Sequence, residues 1–206
     1  MKKGILFVIS GFSGSGKGTV LAKVLKLAPK LRFSVSATSR APRKTETEGK
    51  DYFFVSEETF RQMIEKDEFL EYTKTYGNYY GTPKAQILGS TERGEDVVLE
   101  LDVIGAVNLK KIYPDAVTIF LTAPSLEAVK NRLLQRGSET PESIALRIEQ
   151  YKKEIEYIES YDYAVINDDI DRCAEDILAI MRAENRRTKR LCDLKSSILN
   201  GGKYVD

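Results

Sequence analysis

The densest chemistry in the sequence lies in "GFSGSGKGTV", Gly11 to Val20. Gly11, Gly16 and Lys17 fit the pattern G-x-x-x-x-G-K, with Phe12, Ser13, Gly14 and Ser15 filling the loop and Gly18 and Thr19 following the lysine. Glycines let backbone N–H groups turn inward around a polyphosphate, a helix N-terminus adds its dipole, and the lysine reaches the β and γ oxygens. A plain Gly/Ser turn is the competing reading. The context favours phosphate, because the apolar run "GILFVIS" precedes the loop and a helical pattern follows it. One departure concerns the metal. The pattern's usual Ser/Thr after the lysine is Gly18, with Thr19 one place later. A Mg²⁺ ion accompanying ATP would then be held mostly by phosphates and water, which Mg²⁺ tolerates. No side chain is assigned as a direct ligand. Thr19 and Asp102, the carboxylate that ends "VVLELD", are candidates acting through water.

A second cluster is "SATSRAPR", which ends in Arg40 and Arg43. Arginine presents a planar fork of donors, so two on one loop suit a terminal phosphate dianion. Tyr52 in "GKDY" and Tyr80 in "GNYYG" could add hydroxyl donors, although each taken singly reads as ordinary packing. A third set is Arg132 and Arg136, which share one helix face at i and i+4, with Arg147 on the next helix. Spacing alone makes these a solvated basic face. The chain has no histidine, which excludes histidine bases, Ser-His triads and histidine metal sites. Cys173 and Cys192 show no metal or redox spacing. Cys173 recurs with Ile177, Ile180 and Met181 on one helical face, so it reads as core in a reducing, cytoplasmic compartment.

The elements that must position these residues alternate between strand and helix. "ILFVI" (5–9) precedes a helix carrying Val20, Leu21, Val24, Leu25 and Ala28, which Pro29 stops. "FSVSAT" (33–38), "VVLEL" (97–101), "AVTIFL" (116–121) and "YAVIN" (163–167) read as further strands. This β-α alternation predicts an α/β fold, a P-loop core with a parallel sheet flanked by helices. Residues 37–86 break the rhythm with a polar loop, a short helix near 57–66 and the hairpin-like "EFLEYTKTYGNYYGT". They are expected to form an inserted subdomain. Residues 125–150 form a second insertion. There Ser125 caps a helix running to Arg136, Gly137 ends it, and Thr140 and Pro141 start the next. A helical lid is the expected result. The core then comprises 4–36, 87–124 and 151–184, and 185–206 form a basic tail.

Net charge is +1 over 206 residues, so no overall field points to nucleic acid or membrane. No apolar run reaches membrane-span length. Four basic residues crowd 186–190. They read as a solvated helix end, with contact to a nucleotide, nucleic acid or partner chain as the rival. Assembly into a homodimer or larger oligomer stays open.

"SVSATSRAPR", "GKDYFFVS", "EFLEY", "GNYYGT", "RLLQRG" and "VINDD" occur in the order and spacing found in guanylate kinases, and "GKGT" recurs in nucleoside monophosphate kinases. From about Gly4 to Glu184 the chain resembles that family, and the tail lies outside the match. The resemblance implies Mg²⁺-assisted, ATP-dependent phosphorylation of GMP and dGMP in purine nucleotide metabolism and GMP recycling. It makes 37–86 the GMP-binding insertion. Arg40, Arg43, Tyr52 and Tyr80 become the GMP phosphate clamp. Ser36, Glu71, Thr82 and Glu100 become the guanine pocket, Glu100 standing where many relatives carry Asp. Lys17, Asp102, Arg132, Arg136 and Arg147 become groups of the transfer step, together with Arg40. Asn167 and Asp168 become adenine-side contacts. A carboxylate such as Glu71 can accept guanine N1–H and N2–H₂ together, whereas adenine offers a bare acceptor at N1. Ser36 could donate to O6. The rival within the same resemblance is a non-catalytic guanylate-kinase-like domain that binds proteins. The intact Gly11, Gly16 and Lys17 argue against it.

Overall fold

The computed structural model describes residues 3–43, 46–75, 77–135, 141–191 and 194–200. Its elements run β1 (Leu6–Ser10), α1 (Lys17–Leu27), β2 (Arg32–Phe33), β3 (Ala37–Thr38), β4 (Phe53–Phe54), α2 (Glu57–Glu65), β5 (Phe69–Thr75) and β6 (Asn78–Pro83). They continue with α3 (Lys84–Glu92), β7 (Val97–Leu101), α4 (Val103–Ile112), β8 (Val117–Thr122), α5 (Leu126–Gln135) and α6 (Pro141–Glu154). A 3₁₀ segment, Ile155–Ser160, leads into β9 (Tyr163–Ile166) and α7 (Ile170–Asn185), and the short α8 (Leu194–Leu199) follows.

Five strands form a parallel sheet in the order β2-β7-β1-β8-β9. The period-2 alternation of β1 supplies both faces at once. Phe7 and Ile9 pack with Val20, Val24 and Ile177 of α1 and α7. Leu6 and Val8 pack on the opposite side with Ile87, Ala106 and Leu109 of α3 and α4. Cys173 is buried in the first of these layers, and burial pushes its thiol up to about 11. Cys192 lies outside the described residues. No helix among the described residues is long and apolar enough to cross a membrane.

A second, mixed sheet has the order β4-β3-β6-β5. It is closed underneath by a ring stack. Phe60 of α2 lies 4.3 Å from Phe69 and 5.2 Å from Tyr79, nearly parallel to both. This corrects one sequence expectation. "FSVSAT" is not one strand, because Phe33 pairs with Val98 in the first sheet while Ala37 and Thr38 pair with Gly81 and Tyr80 in the second. Residues 34–36 are the crossing point, so the alternation continues while the hydrogen-bond partners change.

The helices α5 and α6 also have a core. Val129 and Leu133 of α5 and Ile144 of α6 bury with Phe12, Val103 and Phe120. Ser125 Oγ accepts the Ala128 N–H, which makes it the cap that the sequence suggests. Arg136, Gly137 and Thr140 lie outside the described residues.

The basic segment after α7 is exposed over 186–189, and two of its arginines are also tied to a buried carboxylate. Glu184 is 1% exposed and accepts from the Tyr163 hydroxyl at 2.7 Å. Arg187 and Arg190 reach the same carboxylate at 3.2 and 3.4 Å, and Arg190 also donates to the Asp115 carbonyl. Lys189 pairs with the Asp115 carboxylate at 3.6 Å. Two of the four basic residues, Arg187 and Arg190, therefore balance one buried negative charge, while Lys189 pairs with exposed Asp115. Glu184→Ala removes the partner of the largely buried Arg190 side chain and of Tyr163. It should cost about 3 kcal/mol of stability, read as a lowered urea midpoint, and an unchanged midpoint would show that the segment is not anchored there.

Candidate active site

β1 delivers the chain to the carboxyl edge of the parallel sheet, where Gly11–Gly16 turn it into α1. Gly16 caps α1 at φ 88°, a left-handed conformation open to glycine, and a Cβ there would sit 2.4 Å from Asn167 Nδ2. A Cβ on Gly11 would meet the Leu121 carbonyl at 2.1 Å. Three of the loop's carbonyls accept from side chains. Lys17 Nζ donates to the carbonyls of Gly11 and Phe12. The Ser15 carbonyl accepts from Asn167 Nδ2 at 2.8 Å and from Arg132 Nη1 at 3.3 Å. Arg132 Nη2 also donates to the Asn167 carbonyl at 2.6 Å. Arg147 donates to Ser13 Oγ, and Tyr151, one turn further along α6, meets Phe12 edge-on at 4.1 Å.

The loop forms one wall of a cavity of about 880 Å³. Arg43, Tyr52 and Thr75 line it from the side of the second sheet. Glu100 and Asp102 line it from β7, and Arg147, Gln150 and Glu154 from α6. Of the loop residues, Phe12, Gly14 and Ser15 are buried, whereas Gly18 and Thr19 are exposed. Burial raises the Glu154 carboxyl above its ordinary value. Burial also pushes the Tyr52 phenol up to about 12, with Glu100 adding to the effect, so Tyr52 stays a neutral donor.

Asp102 joins the two sheets. It caps α4 by accepting the Gly105 N–H on Oδ1 at 2.6 Å. Its Oδ2 accepts the hydroxyls of Thr73 and Thr75 on β5 at 3.3 and 3.1 Å. Nearby, Glu71 is 6% exposed and accepts the Thr82 hydroxyl at 2.7 Å. Its carboxyl is pushed up to about 7, chiefly by burial and further by Asp102, against the lowering effect of Thr82. Glu71 and Thr82 pair across β5 and β6, so the hairpin register brings them together.

The remaining residues divide. Ser36, Arg40, Glu71, Tyr80 and Thr82 lie off the lining of this cavity. The Ser36 carbonyl accepts the Phe53 N–H at the crossing point between sheets. Arg40 is closed on Glu46, and its guanidinium lies 5.5 Å from the Tyr52 ring centroid. Tyr52 and Tyr80 meet nearly edge-on at 6.0 Å. Asn167 and Asp168, adjacent in sequence, separate in space. Asn167 is 3% exposed behind the phosphate loop, whereas Asp168 lines an open groove with Thr19 and Lys23 outside α1.

Sequence reasoning missed Glu46, Thr75, Gln150 and Glu154. Arg147, Gln150 and Glu154 follow i, i+3, i+7 spacing, so one face of α6 was available as a signal. Glu46 sits in an aperiodic polar loop that offers no such signal. Among the described residues, no group of three or more acidic, Cys or His side chains is placed to hold a metal.

A family model described as guanylate kinase matches residues 3–184. The guanylate kinase of Caldanaerobacter subterraneus subsp. tengcongensis is 49% identical over 193 residues, covering 94% of each chain. That of Clostridium tetani is 47% identical, covering 94% of this chain and 92% of the relative. The crystal structure of guanylate kinase from Anaplasma phagocytophilum superposes with a TM-score of 0.78 at 34% identity, covering 92% of this chain and 90% of that one. With the phosphate loop, the parallel sheet behind it and the second sheet beside it in place, these likenesses show that the chain belongs to the guanylate kinase family and is a kinase.

Proposed function

We propose that the protein transfers the γ-phosphoryl group of ATP to GMP, and to dGMP, serving purine nucleotide metabolism and GMP recycling in the cytoplasm. The observation that carries this reading is the shared cavity, with the phosphate loop on one wall and Arg43 and Tyr52 on another. Two phosphate-binding groups facing one space suit transfer between two phosphorylated substrates. A protein-binding scaffold would need neither.

Phosphoryl transfer passes through a loose, highly charged transition state, so catalysis rests on positioning and charge stabilisation. Lys17 and the loop N–H groups take the β and γ oxygens. Arg147, reaching over from α6, meets the developing charge, and Arg132 holds the loop from behind. Arg136 belongs to this set by resemblance alone. The attacking GMP phosphate oxygen is already ionised, so no histidine or other strong base is needed. Arg43, Tyr52, Arg40 and Tyr80 orient that phosphate. Ionised Glu71, held by Thr82, accepts guanine N1–H and N2–H₂, Ser36 donates to O6, and Glu100 borders the pocket. Adenine would leave the buried carboxylate unpaired, which can discriminate by about 10⁴-fold.

The donor set fits Mg²⁺ held at one remove. Asp102 already accepts three hydrogen bonds, leaving about one lone-pair direction, and Thr19 faces the cavity with a hydroxyl. Both would hold the ion through water, with phosphates as its direct ligands. The ion would neutralise charge on the β and γ oxygens.

ADP formation from ATP, measured with GMP, dGMP, AMP, CMP and UMP, tests the reading. GMP and dGMP should turn over. Preference for AMP would sink the guanine pocket, and no turnover would favour the scaffold.

Glu71 gives a pH signature. Guanine needs its ionised form, so KM for GMP should fall as pH rises from 6 to 8 while KM for ATP does not follow. Glu71→Gln should flatten this dependence and weaken GMP about tenfold or more. The stability sign is separate. A folded value near 7 lies above the unfolded carboxylate value, so neutral Glu71 stabilises the fold below about pH 4.3 and that contribution is lost as pH rises through 7. Glu71→Gln should therefore gain melting temperature relative to wild type between pH 5 and pH 8, by the equivalent of roughly 1–3 kcal/mol. A constant difference would contradict the buried-acid assignment.

Gly18 is the second residue of α1, and a Cβ there meets nothing within 4 Å. Gly18→Ser should be tolerated, add a few tenths of a kcal/mol of stability, and reach half-maximal rate at lower Mg²⁺. An unaltered Mg²⁺ titration would mean that this position does not bear on the metal.

A further inference from the structure

The Arg40 side chain is 16% exposed and that of Glu46 13%. They meet through two parallel bonds, Nη1 to Oε2 and Nη2 to Oε1, both 2.9 Å. Nη1 donates its second hydrogen to the Ala41 carbonyl at 2.7 Å. Glu46 Oε2 also accepts the Arg43 N–H at 2.7 Å, and Oε1 lies 3.8 Å from Arg43 Nη1. One carboxylate thus touches both arginines of the loop. The guanidinium is packed near Tyr52 and Phe54, with ring centroids 5.5 and 5.8 Å away.

A guanidinium has five N–H donors and two usable forks. Glu46 and Ala41 take the end fork and the outer hydrogen of Nη1. That leaves the side fork, the Nε hydrogen and the second Nη2 hydrogen, next to Tyr80, whose hydroxyl raises the basicity of Arg40 further. Nε is buried with no hydrogen-bond partner, a costly state for a charged donor. Arg40 therefore cannot offer an end-on grip without breaking the Glu46 pair. Breaking it would strand a carboxylate that Arg40 and the Arg43 N–H hold below the usual range, and a largely buried arginine opposite.

We propose that Glu46 is a positioning residue for the acceptor phosphate. It stays paired when substrate binds and turns the Nε–Nη2 edge of Arg40, rather than its end, toward the phosphate. It also fixes the backbone of Arg43, whose side chain is largely exposed and lines the cavity. The rival is a gate, in which Glu46 occupies Arg40 until phosphate displaces it.

This inference rests on the reading that the loop binds the GMP phosphate, and steady-state kinetics of the full chain separate the two. Arg43→Ala tests the reading, since an unchanged KM for GMP would overturn it whatever Glu46 does. Glu46→Gln tests the inference. It should raise KM for GMP about tenfold while leaving KM for ATP within twofold. Inhibition by guanosine, which has the base without the phosphate, should also be unchanged. Glu46→Asp should restore most of the loss. A lower KM for GMP in Glu46→Gln would establish the gate and overturn positioning. Equal weakening of guanosine and GMP would reduce Glu46 to a structural role. Glu46→Asp as impaired as Glu46→Gln would show that the carboxylate charge is not what acts.

Discussion

A loop that turns its N–H groups toward a polyphosphate must turn carbonyls away, and every carbonyl taken from water needs a donor. Much of this structure answers that requirement at the phosphate loop. Lys17 bonds back to Gly11 and Phe12, and Asn167 and Arg132 converge on Ser15. The donors come from α1, from the end of β9 and from α5. Two of these donors, Arg132 and Asn167, lie more than a hundred residues from Ser15 in sequence and are thereby fixed to one turn. The glycine at position 16 is part of the same arrangement, because any side chain there would occupy the place of the Asn167 amide.

The second sheet is tied to the first through a carboxylate. Asp102 ends β7, caps α4 and holds two threonines of β5. Directly beside it, Glu71 is buried on the hairpin with a value near neutrality. Two acids in one low-dielectric region cannot both ionise cheaply. Burial is the chief cause of the shift at Glu71, and Asp102 adds to it, against the single Thr82 donor. Asp102 by contrast accepts three hydrogen bonds, two from β5 and one from α4.

The helices over the loop follow the same economy. The buried stripe of α5 and α6 rests on Phe12 and Phe120, and the polar face of α6 turns Arg147 and Glu154 into the cavity. Packing on one face and charge on the other let the helices be anchored and line the cavity together.

Legible along the chain were the phosphate loop, the β-α alternation, the hairpin-like stretch over 68–82 and the arginines and tyrosines near it. These signals are local. They depend on glycine spacing, on periodicity and on residue types whose chemistry is intrinsic. Only the tertiary structure decided the rest. It split "FSVSAT" between two sheets, parted Asn167 from Asp168, and set Glu46 against Arg40. It also gave the basic run after α7 a buried partner in Glu184. In each case the outcome depends on which backbone or charge lies opposite, and on how much water remains. Opposition and burial are properties of the packed chain, and no window of residues along it carries them.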